Sequence, residues 1–325
     1  MNTDISTWFY TGEFPNGSQG KITAKYDFDV DWGDGSPLEH YNNSMGENRS
    51  NKRIPVKHQY HKLGTYKVTI TGDCDNLFGY GMSGHDTCGD NSALGTAKDS
   101  DTLKYCLWGV QVPTDHKSPL KYGYGSFFGC ENLKFIGYGV FENITECREV
   151  PHLYDGAVLS RIEPWMLQGG INLENIEYTF ENCQMMEIDA QVFQNCPNVT
   201  KANHCFHRCN SLLSIPNGLF DYFPKLENVE SCFKSCSNLT FVPENLFDNC
   251  PNITDFSYCF CGGQVANDYS YPRYMKITSS LPPMWERMND SNFVTPTSFN
   301  DYATGCIKAK NYITALWQNP SWANE

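Results

Sequence analysis

The sequence predicts a mixed β/α fold, in which an N-terminal β-sandwich precedes a solenoid of repeats built from short strands and short helical turns. Three observations support this prediction: an aromatic repeat in the middle of the chain, strand-like alternation near its start, and a composition with 40% hydrophobic and 19% charged residues. That composition indicates a folded chain rather than a disordered one. The length of 325 residues exceeds what one ordinary core serves, so we expect two units, or a repeat array with a unit attached.

An aromatic residue that returns every 26 or 27 residues defines the repeat. One copy is too short to bury its apolar residues alone, so neighbouring copies are expected to stack and to superpose equivalent side chains in a continuous core. A cysteine follows three residues after most of these aromatics, while the Tyr154 copy carries Ala157 at that position. The candidate core residues are Phe127, Phe180, Phe206, Phe233, Phe260, Cys183, Cys209 and Cys236.

The 15 cysteines allow more than one interpretation. Their recurrence with the repeat favours reduced thiols that fill small slots in the core. Disulfides are the alternative, and the best pairs for it are Cys259 with Cys261 and Cys74 with Cys88.

Two sets of residues could bind a metal ion. A zinc interpretation rests on His204, Cys205, His207 and Cys209. A calcium interpretation rests on Asp29, Asp31 and Asp34. No matching Cys/His quartet follows at a zinc-type spacing, and a half-exposed strand that runs into a turn explains the aspartates, so we predict no metal and no cofactor.

Asn-x-Thr triplets match the acceptor sequence for N-glycosylation. They also fall at fixed positions within the repeat, which favours a structural role for the Asn and Thr side chains. The triplets begin at Asn143, Asn198, Asn238 and Asn252.

The repeat resembles the BspA-like branch of the leucine-rich repeats, in the form LF-x-x-C-x-x-I…F-x-x-C-x-x-L-x-x-I-P. The copies CFHRCNSLLSIPNGLFDYFPKLENVES and CFKSCSNLTFVPENLFDNCPNITDFSY carry this resemblance. It implies a curved solenoid used for adhesion or protein contact, on bacterial surface proteins, in some protists and in phage proteins. It implies no catalytic residues.

The N-terminal part contains two strand patterns. The segment from Asp27 to Ser36 alternates apolar and polar residues and ends in Gly-Asp-Gly, which is typical of a strand that enters a tight turn. Tyr66, Val68 and Ile70 alternate as the second strand.

Together, the WGDG turn and the H-x-Y-x-x-x-G-x-Y-x-V-x-I pattern resemble the PKD domain. This resemblance implies an immunoglobulin-like β-sandwich with Phe9 and Tyr10 on its first strand. The polar insert from Leu38 to Pro55 is expected to be a loop.

These patterns divide the chain into four segments: a PKD-like β-sandwich over 1–72, a polar loop or linker over 73–102, a BspA-like leucine-rich repeat solenoid over 103–265, and a divergent repeat with a C-terminal cap over 266–325. We expect residues 103–110 to form a strand that caps the first repeat. Residues 311–317 are predicted to form a C-terminal helix.

The charge balance excludes two classes of partner. With 37 acidic against 24 basic residues, the net charge of −13 argues against nucleic acid or an anionic membrane surface, because both require clustered cations. No apolar stretch is long enough for a membrane span. The N-terminus shows neither the basic nor the apolar region of a signal peptide, so we expect no removed leader.

No catalytic motif is visible, and cysteines that recur with the core period are poor candidates for an activated thiol. We therefore predict a non-enzymatic binding or adhesion protein, whose exposed aromatic and polar residues contact a partner. The candidate binding face consists of Tyr178, His204, Tyr222, Lys225, Lys234 and Tyr258.

The first hypothesis is a phage virion component, such as a fibre, decoration or host-attachment protein, made in the host cytoplasm and placed on the virion surface. Its partners would be other virion proteins, a host surface glycan or protein, and further copies of itself. A bacterial cell-surface adhesin and a purely structural capsid- or tail-binding protein are the alternatives.

Overall fold

A computed structural model describes residues 4–11, 13–45, 53–77, 106–262 and 274–314. We refer to residues 4–77 as the N-terminal unit and to residues 106–314 as the layered region, each within these ranges. No helical segment of these ranges has the length and apolar character that crossing a bilayer requires.

The strands are β1 (Asp4–Tyr10), β2 (Glu13–Pro15), β3 (Lys21–Thr23), β4 (Tyr26–Asp31), β5 (Glu39–Asn42), β6 (Arg53–Gln59), β7 (Thr69–Cys74), β8 (Gly109–Val110), β9 (Phe135–Ile136), β10 (Arg161–Ile162) and β11 (Glu187–Ile188). Short 3₁₀ segments cover Gly17–Gln19, Asn43–Met45, Ile144–Glu146 and Met284–Asn289.

The strands of the N-terminal unit pair in small antiparallel sheets: β1 with β6, β2 with β3, and β4 between β5 and β7. On β4, Tyr26, Phe28 and Val30 are buried, whereas the aspartates between them are more exposed, because successive side chains of a strand point to opposite faces. Phe9 on β1 packs against Phe28, and the two ring centroids are 4.8 Å apart. The core of this unit is therefore aromatic.

The turn after β4 requires glycine at position 33. Gly33 has a φ of +74°, and a Cβ atom there would lie 2.5 Å from the carbonyl oxygen of Lys67. The preceding Trp32 is buried and stacks on His58, with ring centroids 4.6 Å apart. The Tyr60 hydroxyl donates to the Trp32 carbonyl oxygen at 3.0 Å. The turn thus anchors a stack of aromatic rings at one end of the unit.

Successive copies of the repeat form layers held together by parallel backbone pairing. The equivalent aromatic rings lie face to face between layers: the centroids of Tyr154 and Phe180 are 5.2 Å apart, those of Phe180 and Phe206 5.5 Å, and those of Phe206 and Phe233 5.2 Å. All of these rings are fully buried. One line of parallel bridges along the stack joins Glu149, Asn175, Lys201, Asn228, Asp255 and Ser298.

The core thiols hydrogen-bond to the layer before their own. Each one donates to the carbonyl oxygen of that layer's aromatic residue, which a plain methyl group could not do. The pairs are Cys183 Sγ to Tyr154 O at 2.9 Å, Cys209 Sγ to Phe180 O at 3.1 Å, and Cys236 Sγ to Phe206 O at 3.0 Å. Cys74 and Cys259 carry buried free thiols, so the structure does not pair Cys259 with Cys261. Cys88, the other candidate partner, lies outside the described residues.

The Asn-x-Thr triplets also join neighbouring layers. The amide of Asn198 donates to Ile171 O at 2.8 Å, and the hydroxyl of Thr200 donates to Glu174 O at 3.2 Å. The amides of Asn143, Asn238 and Asn252 make the equivalent bonds, to Ser118 O, Asn210 O and Pro224 O. These side chains therefore have structural partners.

The predicted fold class, a mixed β/α chain with a PKD-like β-sandwich and a leucine-rich-repeat solenoid, is wrong. The described residues form small sheets, two-residue parallel strands and isolated bridges, joined by turns, with very few helical residues. Where the sequence suggested helical turns, the chain places left-handed residues such as Tyr178 and His204, with φ of 57° and 55°. A positive φ ends a right-handed helix at once, so turns take the place of helices.

Local expectations also need correction. The segment 38–55, expected to be a loop, contains β5 and the start of β6, and its residues 46–52 lie outside the described part. Tyr66 and Val68 precede β7, which begins at Thr69, and the Tyr66 ring stacks on Tyr60 with centroids 4.1 Å apart. Residues 312–314 form one helical turn, and 315–317 lie outside the described residues. Phe9 and Tyr10 lie on β1. Of the capping strand expected over 103–110, only β8 forms among the described residues, where it pairs in parallel with β9, and 103–105 lie outside the described part.

The N-terminal unit docks on the first layers through polar contacts. The amide oxygen of Asn16 accepts a hydrogen bond from the backbone of Arg148 at 2.7 Å. The carboxylate of Asp75 accepts the backbone N–H of Lys25 at 2.9 Å and pairs with the ammonium of Lys121 at 2.9 Å. The Asp75 side chain is only 5% exposed, so its ion pair with Lys121 is buried on the Asp75 side.

Candidate binding face

One edge of the layered region consists of residues in left-handed backbone conformation. We call this line the left-handed edge, and it comprises His152, Tyr178, His204, Ser231, Tyr258 and Asp301, with φ between 51° and 59°. Side chains other than glycine adopt this conformation at a cost of about 1–2 kcal/mol each. Backbone strain of this kind concentrates at functional sites. The strain therefore marks the edge as a candidate site.

Aromatic and imidazole rings stack along the first half of the edge. The ring centroids of His152 and Tyr178 are 4.5 Å apart with planes at 6°, and those of Tyr178 and His204 are 4.7 Å apart with planes at 17°. In the second half, the ammonium of Lys234 lies 4.7 Å from the ring centroid of Tyr258, which is a cation–π contact. The edge thus offers a rigid row of aromatic groups.

Imidazoles and carboxylates meet beside this row. His152 Nδ1 lies 2.8 Å from Asp155 Oδ2, and His207 Nδ1 lies 2.9 Å from Glu181 Oε1. One ligand atom each of His152, Asp155 and Glu181 lies within 4.8 Å of the other two. We call His152, Asp155, Glu181 and His207 the imidazole–carboxylate cluster. Their side chains are between 9% and 14% exposed, so the cluster is mostly withdrawn from water.

The protonation of these groups follows from burial and from their neighbours. Burial raises the pKa of Asp155, although the hydrogen bond with His152 opposes the shift. Burial also acts to raise the pKa of Glu181, but the hydrogen bond from His207 and the imidazoles around it prevail and lower it. Burial and the neighbouring His207 lower the pKa of His204 to about 4, so that its ring is neutral at neutral pH.

The structure brings four of the six predicted binding residues to the left-handed edge: Tyr178, His204, Lys234 and Tyr258. It does not show the other two in contact with them. Tyr222 packs against the core, and the ammonium of Lys225 donates to Asn198 Oδ1 at 2.6 Å.

The thiols and imidazoles suggested as zinc ligands belong to different environments. Cys205 and Cys209 are fully buried, and the Cys209 thiol donates to the Phe180 carbonyl oxygen. His207 turns instead to Glu181. The same arrangement keeps the Cys209 thiol from using His207 as a base.

The aspartates of the calcium interpretation have different partners from one another. Asp29 Oδ1 lies 2.9 Å from His40 Nδ1, Asp34 Oδ2 lies 2.9 Å from His58 Nε2, and Asp31 Oδ1 accepts the backbone N–H of Gly33. Hydrogen bonds from Ser36 and His58 lower the pKa of Asp34.

Sequence reasoning missed His152, Asp155 and Glu181. A signal for them exists, since His152, Tyr178 and His204 each lie two residues before a core aromatic, and Asp155, Glu181 and His207 each lie one residue after it. Aligning the copies on the aromatic would have placed these residues in two columns three positions apart, which lie on either side of the aromatic. The degenerate Tyr154 copy hides this register.

Comparison with protein-family models gives no match, and comparison with curated proteins gives none. The function is therefore argued from the edge itself.

Proposed function

We propose that the chain is a non-enzymatic binding protein that contacts a host-surface glycan or protein through the left-handed edge. The observation that carries this proposal is the row of stacked rings in strained, preorganised backbone at His152, Tyr178 and His204. Rigid aromatic side chains give contact area at a small loss of conformational entropy, which favours binding.

The state of the thiols supports a non-enzymatic role. Burial raises the pKa of Cys196 and Cys250 to about 12 and raises that of Cys209 as well. A nucleophilic cysteine requires the opposite shift, together with access to substrate. These cysteines act as core residues.

We propose the virion surface of a phage as the setting, with other virion proteins as further partners. The resemblance of the repeat motif to BspA-like proteins supports a surface location, and a bacterial cell surface is the alternative. Mass spectrometry of purified particles and of host envelopes separates the two. Recovery only from envelopes would refute the virion setting and leave the binding role intact.

The binding role can be tested with two substitutions on the edge. Tyr178→Ala and Tyr258→Ala should each weaken binding of the full chain to a panel of bacterial cells by at least about tenfold, because buried aromatics dominate such contacts. Tyr138→Ala is the matched control, since Tyr138 is a tyrosine of the layered region that is 67% exposed and lies off the edge. Binding is measured by flow cytometry with labelled protein.

The outcomes separate the partners. Loss of binding after periodate treatment of the cells identifies a glycan, whereas loss after protease treatment identifies a protein. Equal loss in all three variants, or no loss in the edge variants, would overturn the assignment of the edge. Binding to purified particles alone would support a purely structural role.

A further inference from the structure

The imidazole–carboxylate cluster collects four titratable side chains from three successive layers. His152 and Asp155 come from the first, Glu181 from the second and His207 from the third. We propose that this cluster binds one divalent transition-metal ion, with Zn²⁺ as the best fit. The cluster shares His152 with the left-handed edge, but metal binding does not require the proposed partner.

The donor set suits zinc. The imidazole nitrogen of His152 and the carboxylate oxygens of Asp155 and Glu181 are ordinary Zn²⁺ ligands, and His207, which contacts Glu181, is the candidate fourth ligand of a tetrahedral shell. Two carboxylates carry the charge that balances a divalent cation, which matters because these side chains are only 9–14% exposed. Harder cations such as Ca²⁺ and Mg²⁺ prefer oxygen ligands alone.

Metal binding requires the side chains to rearrange. Ligands of tetrahedral Zn²⁺, at about 2.1 Å from the metal, lie about 3.4 Å from one another. The ligand atoms of His152, Asp155 and Glu181 all lie within 4.8 Å of one another. The hydrogen-bonded pairs His152–Asp155 and His207–Glu181, at 2.8 and 2.9 Å, would open slightly as the ion takes the place of the shared proton.

Pairing between layers holds the ligand residues in register. The N–H of Gly156, next to Asp155, donates to Glu181 O at 2.9 Å, and the N–H of Asn182, next to Glu181, donates to His207 O at 2.7 Å. These bonds fix the rise between the three layers. The site is therefore largely preorganised.

Neighbouring rings orient the imidazoles. Tyr178 stacks on His152, and His204 Nδ1 lies 3.3 Å from His207 Nδ1. His207 Nδ1 also lies 2.9 Å from Glu181 Oε1, so two neighbours restrict the orientation of the His207 ring. Contacts from residues that do not themselves bind the metal commonly position metal-binding histidines.

The alternative arrangement is two hydrogen-bonded His–carboxylate pairs without a metal. Chelator-treated full-length protein, titrated with ZnCl₂ in a calorimeter, decides between them. We expect one equivalent of Zn²⁺ to bind, and CoCl₂ to give the visible absorption of a tetrahedral cobalt ion. No binding would overturn the proposal, and a sulfur-to-cobalt charge-transfer band would also overturn it by assigning the metal to thiols.

Substitutions then locate the site. The double variant Asp155→Asn, Glu181→Gln should lose zinc affinity by more than the ~10- to 100-fold that loss of a supporting residue causes. His116→Ala is the matched control, because His116 Nδ1 lies 2.8 Å from Asp115 Oδ1, as in the cluster, but both side chains are mostly exposed. The control should bind zinc unchanged.

Unchanged affinity in the double variant, or equal loss in the control, would overturn the proposal. Should the double variant fail to fold, the cobalt spectrum of the unaltered chain still decides. Zinc binding should also weaken as the pH falls, because metal ligands bind in their deprotonated form.

Discussion

Strands β1 and β4 of the N-terminal unit and the repeats of the layered region both bury aromatic rings, but they orient them differently. In the N-terminal unit, the planes of Phe9, Tyr26 and Phe28 meet at 50° to 76°. In the layered region, the consecutive ring planes from Phe127 to Phe260 meet at 3° to 9°. Repetition of one backbone path places equivalent rings in equivalent orientations, whereas non-repeated strands orient each ring separately.

The two regions also differ in their buried thiols. Within the described residues, burial raises the pKa of nine cysteines in the layered region and of Cys74 alone in the N-terminal unit. A small side chain that can donate to a carbonyl group one layer away fits a slot that recurs with the stack. Repetition thus multiplies one thiol environment, and with it one pH dependence.

Alkaline pH should produce the largest difference in stability between the two regions. A thiol whose folded pKa is raised stabilises the fold fully below its unfolded pKa, and that stability is lost as the pH rises toward the folded value of about 12 seen for Cys147 and Cys196. Each such thiol loses about 1.4 kcal/mol per pH unit. At a pH one unit above the unfolded pKa, the layered region, with nine such thiols, should lose several times more stability than the N-terminal unit, in which Cys74 alone contributes about 1 kcal/mol.

Hydrogen–deuterium exchange at pH 7.5 and 9.5, corrected for intrinsic rates, measures this difference by segment. The layers should lose protection before β4 and β7 do. A variant with Cys209→Ala should show a smaller alkaline loss by about 1.4 kcal/mol. Equal protection of the layers at both pH values would contradict the role given to the thiols.

Removal of one stacked ring should have the next largest effect. Phe206→Ala deletes a fully buried ring between Phe180 and Phe233, and we expect the free energy of unfolding to fall by about 3–5 kcal/mol. Urea denaturation followed by circular dichroism measures the change. Phe241→Ala is the control, because Phe241 belongs to the same stack of layers but is 45% exposed. Similar losses in the two variants would show that the ring stack contributes little.

The spacing of the aromatic residues is the sequence feature that best predicts the structure. Phe180 and Phe206 are 26 residues apart in the chain and their rings are 5.5 Å apart in the fold. Likewise, the alternation of Asp27, Phe28 and Asp29 corresponds to a strand with Phe28 inward. Periodic burial can be read from sequence because it depends on residue type alone.

The turns could not be read in the same way. Whether a short segment becomes one helical turn or a β-turn depends on the sign of φ at a single residue, and Tyr178 and His204 give no signal of a positive φ, as glycine would. Strands β5 and β6 were missed because their segment is polar and β6 pairs with the distant β1. Long-range antiparallel pairing leaves little trace in local sequence.

The candidate site was predicted only in part. The edge residues Tyr178, His204 and Tyr258 follow from the repeat, but the approach of Asp155 to Glu181 requires the rise between layers and the register of the stack. Neither quantity is visible in a single copy. The proposed partner and setting stay predictions for the experiments above.

Weakening the contact between the two regions should lower the free energy of unfolding less than the changes above. It should, however, alter the cooperativity of unfolding most. Asp75→Asn weakens the pair with Lys121 and leaves an amide where a carboxylate accepted the Lys25 N–H, so we expect a loss of about 2–3 kcal/mol, in the range of hydrogen bonds to charged groups. If this contact couples the regions, unfolding should separate into two transitions by calorimetry, with the layers keeping their original midpoint. Lys21→Gln, which removes an exposed ion pair with Glu13, is the control and should change stability by less than about 1 kcal/mol. A single transition with a shifted midpoint would instead show that the remaining contacts at Asn16 and Asn76 join the two regions. In that case the N-terminal unit and the layered region would unfold together despite their different cores.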